Sequence, residues 1–319
     1  MTPMKEWRPM EYRKETCDVV FHFYRCEDTG EQFEDEHFSQ LNFSQVVNQY
    51  RVRHYIPFPE QIKAIRMKYE LSAAKMSEIL GMGANSWRNY EGGEVPSRAH
   101  ANLIRLISLP SNFVLHLQQF SELAENEKNK ILKRIEKLDG CGIDFSDPLL
   151  RFESQPEICT GFKSFDREKL IQVVLYFAER LKPFKTKLNK LLFYADFVHF
   201  RAIGQAITGL KYTAIQYGPV PSNYDILFGA LADMNLIEIE YNMTEYGEVE
   251  RILPNSAYKF GESKLSVSEL KAIERVAGRF SNTSAGQIAE ISHKERAWAE
   301  NIDRKDIIPF HYAFWLEAV

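Results

Sequence analysis

The sequence predicts a mainly α protein with small β elements, built from modules in series. Three observations carry that expectation. Apolar residues recur at helical spacing in many short stretches, each bounded by a capping residue, a Gly or a Pro. Alternating β-branched and aromatic runs are few, and two of them flank one polar turn. The 319 residues exceed what one core ordinarily fills, so two or more domains are expected.

The elements follow in order. Residues 1–57 hold seven Lys and Arg against ten Asp and Glu. Residues 1–16 are mostly polar and offer no apolar leader. Residues 17–26 alternate and are rich in Val and Phe, which predicts a strand, with Asp28-Thr29-Gly30 as the turn after it. From Phe38 to Tyr55, the spacing of Leu41, Val46, Val47 and Tyr50 predicts a helix, which Pro57 and Pro59 end. Four short helices are predicted next: 61–69; 73–80, with Ser72 as N-cap and Gly81 as stop; 84–91, ended by Gly92 and Gly93; and 97–107, before Pro110. Residues 119–138 are rich in Glu, Asn and Lys and predict a solvated connecting helix. The stretch from there to Phe162, with Pro148 and Pro156, reads as an irregular linker.

The second half is more apolar. Asp166 caps a helix through Val174, Tyr176 and Phe177 that Pro183 breaks, and Thr186 opens another containing Leu188, Leu191, Leu192 and Ala195. Gly204 and Gly209 precede an aromatic segment, 212–217, and a turn at Gly218-Pro219-Val220-Pro221. A helix is expected over 224–234. The runs 236–241 and 248–253 alternate around a turn containing Gly247 and predict a hairpin. Ser266 with Glu269 and Ser284 with Gln287 are capping boxes that start two further helices.

Composition narrows the function. With 45% apolar and 26% charged residues, the chain reads as an ordinary folded protein. A net charge of −4 makes the whole molecule a poor electrostatic partner for nucleic acid, so any DNA contact must be local. Cys17, Cys26, Cys141 and Cys159 are scattered, unlike a secreted disulfide scaffold. The apolar run 188–203 is cut by Lys190, Asp196 and Arg201, so no membrane span is expected. The expectation is a soluble cytoplasmic protein.

Residues 71–93 carry the sharpest local pattern. Leu71, Met76, Ile79 and Leu80 give the first helix an apolar face, Gly81 permits a tight turn, and Trp87 and Tyr90 bury the inner face of the second helix. The segment resembles the repressor-type helix-turn-helix of many antitoxins. Ala73 stands where that pattern usually has a polar residue, often Gln, and Arg88 is the second helix's one cation. The resemblance implies a recognition helix in the major groove with Asn85, Ser86, Arg88 and Asn89 as DNA-binding residues. Residues 58–110 hold seven cations and five anions, a thin excess for phosphate neutralisation. The alternative is a helical module used for dimerisation or partner contact.

Upstream, Tyr24-Arg25-Cys26-Glu27-Asp28-Thr29-Gly30-Glu31, Tyr50-Arg51 and residues 59–66 are similar to the zinc-ribbon-to-helix join of the MqsA-type antitoxin family. That family has a C-x-x-C-G-E knuckle. Here Cys26 keeps the first position and Thr29 replaces the second, while Cys17 at most represents the other half. Structural zinc takes four Cys or His ligands in paired spacing, and only His22 and His37 stand near to supplement the two Cys. A degenerate ribbon that kept its shape without metal is expected, and no cofactor.

Leu188-Asn189-Lys190-Leu191-Leu192-Phe193-Tyr194-Ala195-Asp196, the run 209–217 leading into Gly218-Pro219-Val220-Pro221 and Tyr224, and the segment 291–298 resemble, in that order, the Panacea domain, the SocA-like antitoxin domain. Its hallmark is an L-x-K-L-L-Y-x-A helix followed by a Y-G-P-V turn, and the resemblance covers about residues 165–300. It implies a toxin-neutralising domain, usually encoded beside its toxin and known to serve against unrelated toxin types. Lys190, Tyr194, Tyr217, Pro219, Val220 and Tyr224 are the toxin-binding candidates. Lys190 either snorkels outward or pairs with Asp196. The Tyr217 turn either exposes its ring as an interface hot spot or packs it inward. His293 and Trp298, five apart, read as a cap and a core anchor.

Asp196 with His199, and Glu290 with His293, have spacings that suit metal binding or proton transfer, but such pairs are common on solvated helices. The sequence has no H-E-x-x-H, no phosphate-binding glycine loop, no G-x-S-x-G and no G-x-G-x-x-G. A non-catalytic antitoxin is therefore expected. Its organisation is a zinc-ribbon-like unit over 1–57, a helix-turn-helix over 58–115, a helical linker over 116–162 and an antitoxin domain over 163–319. Its expected partners are a cognate toxin encoded nearby, operator DNA as a second candidate and further copies of itself, with no membrane. The runner-up is a DNA-binding transcriptional regulator or a protease adaptor delivering a bound client.

Overall fold

The computed structural model describes residues 1–139, 147–244 and 247–319; Cys141 and the first part of the expected linker lie outside them. The described residues are mainly helical with small two- and three-stranded sheets, the class the sequence predicts. Two compact units form. One gathers 1–10, 18–45 and 146–319, and the other 11–17 and 46–145.

The chain opens with β1 (Thr2–Tyr12), β2 (Glu15–Arg25), β3 (Gln32–Phe33) and α1 (Glu36–Arg53), with sheet order β1-β2-β3. The strand β1 is unexpected. Its side chains are mostly exposed, so it carries no apolar alternation, and it forms by pairing with β2 around Arg13 and Lys14. Both turn residues have positive φ, as a type I′ hairpin requires. The other edge of β2 is completed in two ways. Tyr24 and Arg25 pair with β3, whereas Val20 and His22 pair with amide side chains of α1. Gln45 accepts from Val20 N–H at 3.0 Å and donates to Val20 C=O at 2.8 Å. Asn42 accepts from and donates to the His22 backbone, both at 2.8 Å. Two amides one helical turn apart thus bond like the next strand of the sheet.

The unit containing 46–145 holds the end of α1, then α2 (Pro59–Lys68), α3 (Ala73–Ile79), α4 (Ser86–Glu91), α5 (Arg98–Ile107), α6 (Pro110–Gln119) and α7 (Glu125–Asp139). Ile62, Tyr69, Met76, Trp87, Ile104 and Phe113 are among its fully buried residues. One helix was not foreseen and one sequence expectation is corrected here. Residues 110–119, on which the sequence made no prediction, form a helix started by Pro110, with Phe113 and Leu117 buried one turn apart. The segment expected as a solvated connector begins its helix at Glu125, and Ile131 and Ile135 are buried in the same core. So narrow an apolar seam is masked by surrounding Glu, Asn and Lys.

The other unit continues with α8 (Arg167–Leu181), α9 (Lys185–Ile203), β4 (Tyr212–Ile215), β5 (Gly218–Pro221), α10 (Tyr224–Asp233), β6 (Ile237–Thr244), β7 (Gly247–Pro254), α11 (Val267–Phe280), α12 (Ala285–His293) and α13 (Arg296–Ala299). As expected, Asp166 caps α8, and both capping boxes close in both directions. The predicted hairpin is β6–β7, with Ile239 opposite Ile252. The central element is α9, where every residue from Lys187 to Phe200 is buried. A helix enclosed all round serves as the spine of its domain. Packed on it are α8, α11, α12, β5, β7 and a C-terminal 3₁₀ turn, Phe310–Trp315. The expected turn at 218–221 is corrected: those residues are β5, paired antiparallel with β4, and the turn itself is Gln216-Tyr217. Among the described residues no helix is long and apolar enough to cross a membrane.

Candidate functional site

The site is built on α9, the β4–β5 turn and the break between α12 and α13. Lys190 projects from α9 and is fully buried, and its Nζ has no hydrogen-bond partner among the described residues. Burial pushes its ammonium down to about 7. Gly218 and Ser292 enclose it: a Cβ on Gly218 would lie 2.8 Å from Lys190 Cε and 2.4 Å from Ser292 Oγ. The neighbouring imidazole is His293, whose pKa is lowered by burial and by the charge of Lys190. The Gln216 backbone bonds the His293 ring, while its buried Nε2 has no partner. Nδ1 therefore makes the Gln216 bond, which leaves Nε2 as a buried lone pair near a buried ammonium.

The chain turns sharply after α12, and this brings His293 and Trp298 together. Their rings stack at 4.1 Å and 22°. The two residues, read from the sequence as a cap and a core anchor, meet because the helix stops at His293 and restarts at Arg296. Trp298 Nε1 donates to Ile215 C=O at 2.7 Å. The last residue of β4 is thus held by Trp298, and the first residue of the turn by His293. Tyr217 follows them at the tip, 65% exposed. Deeper, Tyr194 donates to Glu295, which also accepts the backbone N–H groups of Glu317 and Ala318 at 3.1 Å each.

The toxin-binding candidates therefore separate. Tyr217 is exposed and Tyr224 half-buried, with Lys185 Nζ 5.6 Å from its ring centroid. Lys190, Tyr194, Pro219 and Val220 are buried and reach no surface as placed. Neither expectation for Lys190 holds: it does not snorkel outward, and Asp196 is occupied elsewhere. Asp196 accepts from Ile207 N–H at 2.8 Å, Thr208 N–H at 2.9 Å, Thr208 Oγ1 and Tyr212 Oη at 2.7 Å. It clamps the connection from α9 into β4. His199 has both ring nitrogens engaged, Nδ1 with Gln205 C=O at 2.7 Å and Nε2 with Ser268 Oγ at 3.0 Å. Burial lowers its pKa to about 4. These are the contacts of a scaffold. Gly218, Ser292 and Glu295 were missed by sequence reasoning, and only the glycine of the Y-G-P-V motif carried a signal.

The helix pair α3–α4 has its own geometry. Ser72 caps α3, Gly81 turns the chain at φ +63°, and Ser77 Oγ accepts from Trp87 N–H at 3.1 Å. Trp87 Nε1 donates to Glu91 at 2.8 Å, and Arg66 grips the same carboxylate through two nitrogens at 2.6 and 3.0 Å. With Trp87 and Tyr90 buried, Asn85, Arg88 and Asn89 are exposed and Ser86 is half-buried. At the loop after β2, the side chain and backbone of Thr29 and the backbone of Asp28 hydrogen-bond the Cys26 sulfur and lower its thiol to about 7. Cys17 is buried in β2, and no group of three or more His, Cys, Asp or Glu among the described residues is arranged to hold a metal ion.

Residues 188–299 match the family model described as antitoxin SocA-like, Panacea domain. No curated protein and no solved structure matches the chain. The matched span runs from within α9 through α13, so it contains Lys190, the Tyr217 turn and the His293–Trp298 stack. The chain thus carries an antitoxin-like domain, and the match leaves its first 187 residues uncovered.

Proposed function

We propose that the chain is a cytoplasmic, non-catalytic antitoxin that neutralises a cognate toxin by direct binding through its C-terminal domain. The observation that carries this reading is the presentation of Tyr217. A lone exposed ring is ordinary on a surface, but here the residues before it are fixed by Trp298 and His293, so the ring is held out on a rigid turn. A pre-organised aromatic at a rigid turn is the side chain that most often dominates a protein interface. Tyr224, half-buried beside Lys185 at the other end of β5, is the second contact of this reading. Binding is stoichiometric: the domain covers or distorts the toxin's working surface, and no bond is made or broken.

The test is growth of cells expressing the neighbouring gene alone, with the full chain, and with the Tyr217→Ala chain. Arrest by the neighbour, rescue by the full chain and loss of rescue by a soluble Tyr217→Ala variant are expected. A harmless neighbour, or undiminished rescue by the variant, sinks the proposal.

A second role, autoregulation through a helix-turn-helix, is favoured by one observation. Trp87 and Tyr90 anchor α4 while Asn85, Arg88 and Asn89 project from it. Asn and Arg are the residue types that read adenine and guanine edges. Operator binding calls for two half-sites and hence a homodimer. Fluorescence anisotropy with the upstream DNA at low salt checks it. Binding that Arg88→Ala abolishes is expected, and its absence from the wild-type chain removes the DNA role and with it the regulator reading.

A further inference from the structure

One cleft lies away from the Tyr217 turn, within the unit that holds residues 1–10, 18–45 and 146–319. Its volume is about 410 Å³, and its walls come from β1, β2, α1, α9, α11 and the C-terminal 3₁₀ turn. The lining is chemically one-sided. Lys5, His22, His37, Arg201 and Arg275 all contribute, and among the described lining residues there is no Asp or Glu. The remaining walls are apolar, chiefly Phe38, Leu41, Val198 and Phe314.

The basic groups are only partly engaged: Arg201 donates through Nη1 to Leu316 C=O at 3.3 Å and through Nη2 to Val319 C=O at 2.7 Å, and it feels the charge of Glu295. Lys5 donates to the Phe314 carbonyl and lies 5.7 Å from the Trp315 ring centroid. Its pKa is lowered by burial and then by the charges of Arg201 and Arg296. Arg275 is exposed and has no ion-pair partner among the described residues. His22 is more than nine-tenths buried, and its Nδ1 has no hydrogen-bond partner. Its ring is held edge-on to Phe314 at 4.7 Å and beside Phe38 at 5.6 Å. A buried polar atom facing a cleft, without a partner, is a position a ligand completes.

We propose that this cleft binds a small organic phosphate of mononucleotide size. Its charge would rest on Lys5, Arg201 and Arg275, its body on the apolar wall, and a polar group on His22 Nδ1. Several converging cations suit a multiply charged phosphate better than a single carboxylate, and guanidinium groups match phosphate geometry. A volume of about 410 Å³ falls within the range of small-ligand sites.

The experiment is calorimetric titration of the full chain with AMP, GMP, adenosine and inorganic phosphate at low ionic strength, repeated on Arg275→Ala. At least one nucleotide is expected to bind, with adenosine and inorganic phosphate each weaker by about tenfold or more. Arg275→Ala is expected to weaken the nucleotide about fivefold or more without moving the melting temperature of the free chain. Lys5→Ala provides a second check should that variant be unstable. No nucleotide binding at millimolar concentration, equal binding of inorganic phosphate, or unchanged affinity in a folded Arg275→Ala chain overturns the proposal.

Discussion

Gly218 sits directly against Lys190, and the approach leaves no room for a side chain. A Cβ there would lie 2.8 Å from Lys190 Cε and 2.4 Å from Ser292 Oγ, and Gly218 already holds φ +99°. Crowding and backbone strain therefore act in the same direction. Gly218→Ala is expected to destabilise the chain by about 2–4 kcal/mol, seen as a lower urea midpoint with an unchanged slope. Gly93→Ala is the control, because its φ is also positive, +108°, but its Cβ would meet nothing within 4 Å among the described residues. Equal losses at the two positions would show that strain alone sets the effect.

Lys190 itself costs stability with a pH signature. Its folded pKa is about 7, against about 10.4 for an unfolded lysine. Below pH 7 both states are protonated and the full penalty of the buried charge applies. Between the two values the unfolded chain binds more protons, so stability rises with pH. The expected slope is up to about 1.4 kcal/mol per pH unit over that window. Lys190→Met keeps the shape and removes the charge. Its urea midpoint should exceed the wild-type one at pH 6.5 and converge with it by pH 10. Parallel curves for the two proteins would refute the assignment.

What was legible in the sequence was local. Ser266 with Glu269, Ser284 with Gln287, and Asp166 announced helix starts because a cap and its backbone partner lie within one turn. The β6–β7 hairpin was legible from alternation on both sides of a turn. The rest depends on contacts distant in sequence. The strand β1 has too few buried side chains to alternate, and α7 shows a seam of two Ile among charges. Lys190 read as a cation that snorkels outward or pairs with Asp196, because nothing in its own helix says that Gly218 and Ser292 close over it. His293 and Trp298 read only as a cap and a core anchor because the break between helices α12 and α13 was not anticipated. Of the candidate site, the Tyr217 turn was visible and its supports were not.

The pairing of α1 amides with β2 yields the next expectation. Asn42 is fully buried and Gln45 nearly so, and each satisfies one donor and one acceptor of the strand. Gln45→Leu preserves size but orphans the Val20 N–H and C=O. A buried group left without its partner costs about 1–3 kcal/mol, so a loss of about 2–4 kcal/mol is expected for the two together. Asn42→Leu should behave alike at His22. Hydrogen exchange offers the sharper reading, because the Val20 amide should lose protection in Gln45→Leu while the His22 amide keeps its own. Uniform loss of protection across β2 would mean that the amides act only through packing.

Cys26 tests whether the loop after β2 keeps the thiolate-holding geometry of a knuckle. Hydrogen bonds from the Thr29 side chain, then from the Thr29 and Asp28 backbone, lower its thiol to about 7. Cys159 is the internal reference, since burial raises its pKa. Only the thiolate alkylates, so the iodoacetamide rate at Cys26 should reach half its maximum near pH 7, whereas that at Cys159 should still be rising above pH 9. Thr29→Val removes the largest contribution and leaves the loop backbone in place. Its Cys26 profile should move upward toward the ordinary cysteine value of about 8.5, read peptide by peptide by mass spectrometry. An unshifted profile in Thr29→Val would transfer the effect to the backbone amides. A wild-type midpoint near 8.5 would mean that the loop does not hold a thiolate, and the likeness to a knuckle would then extend no further than the spacing of Cys26 and Thr29.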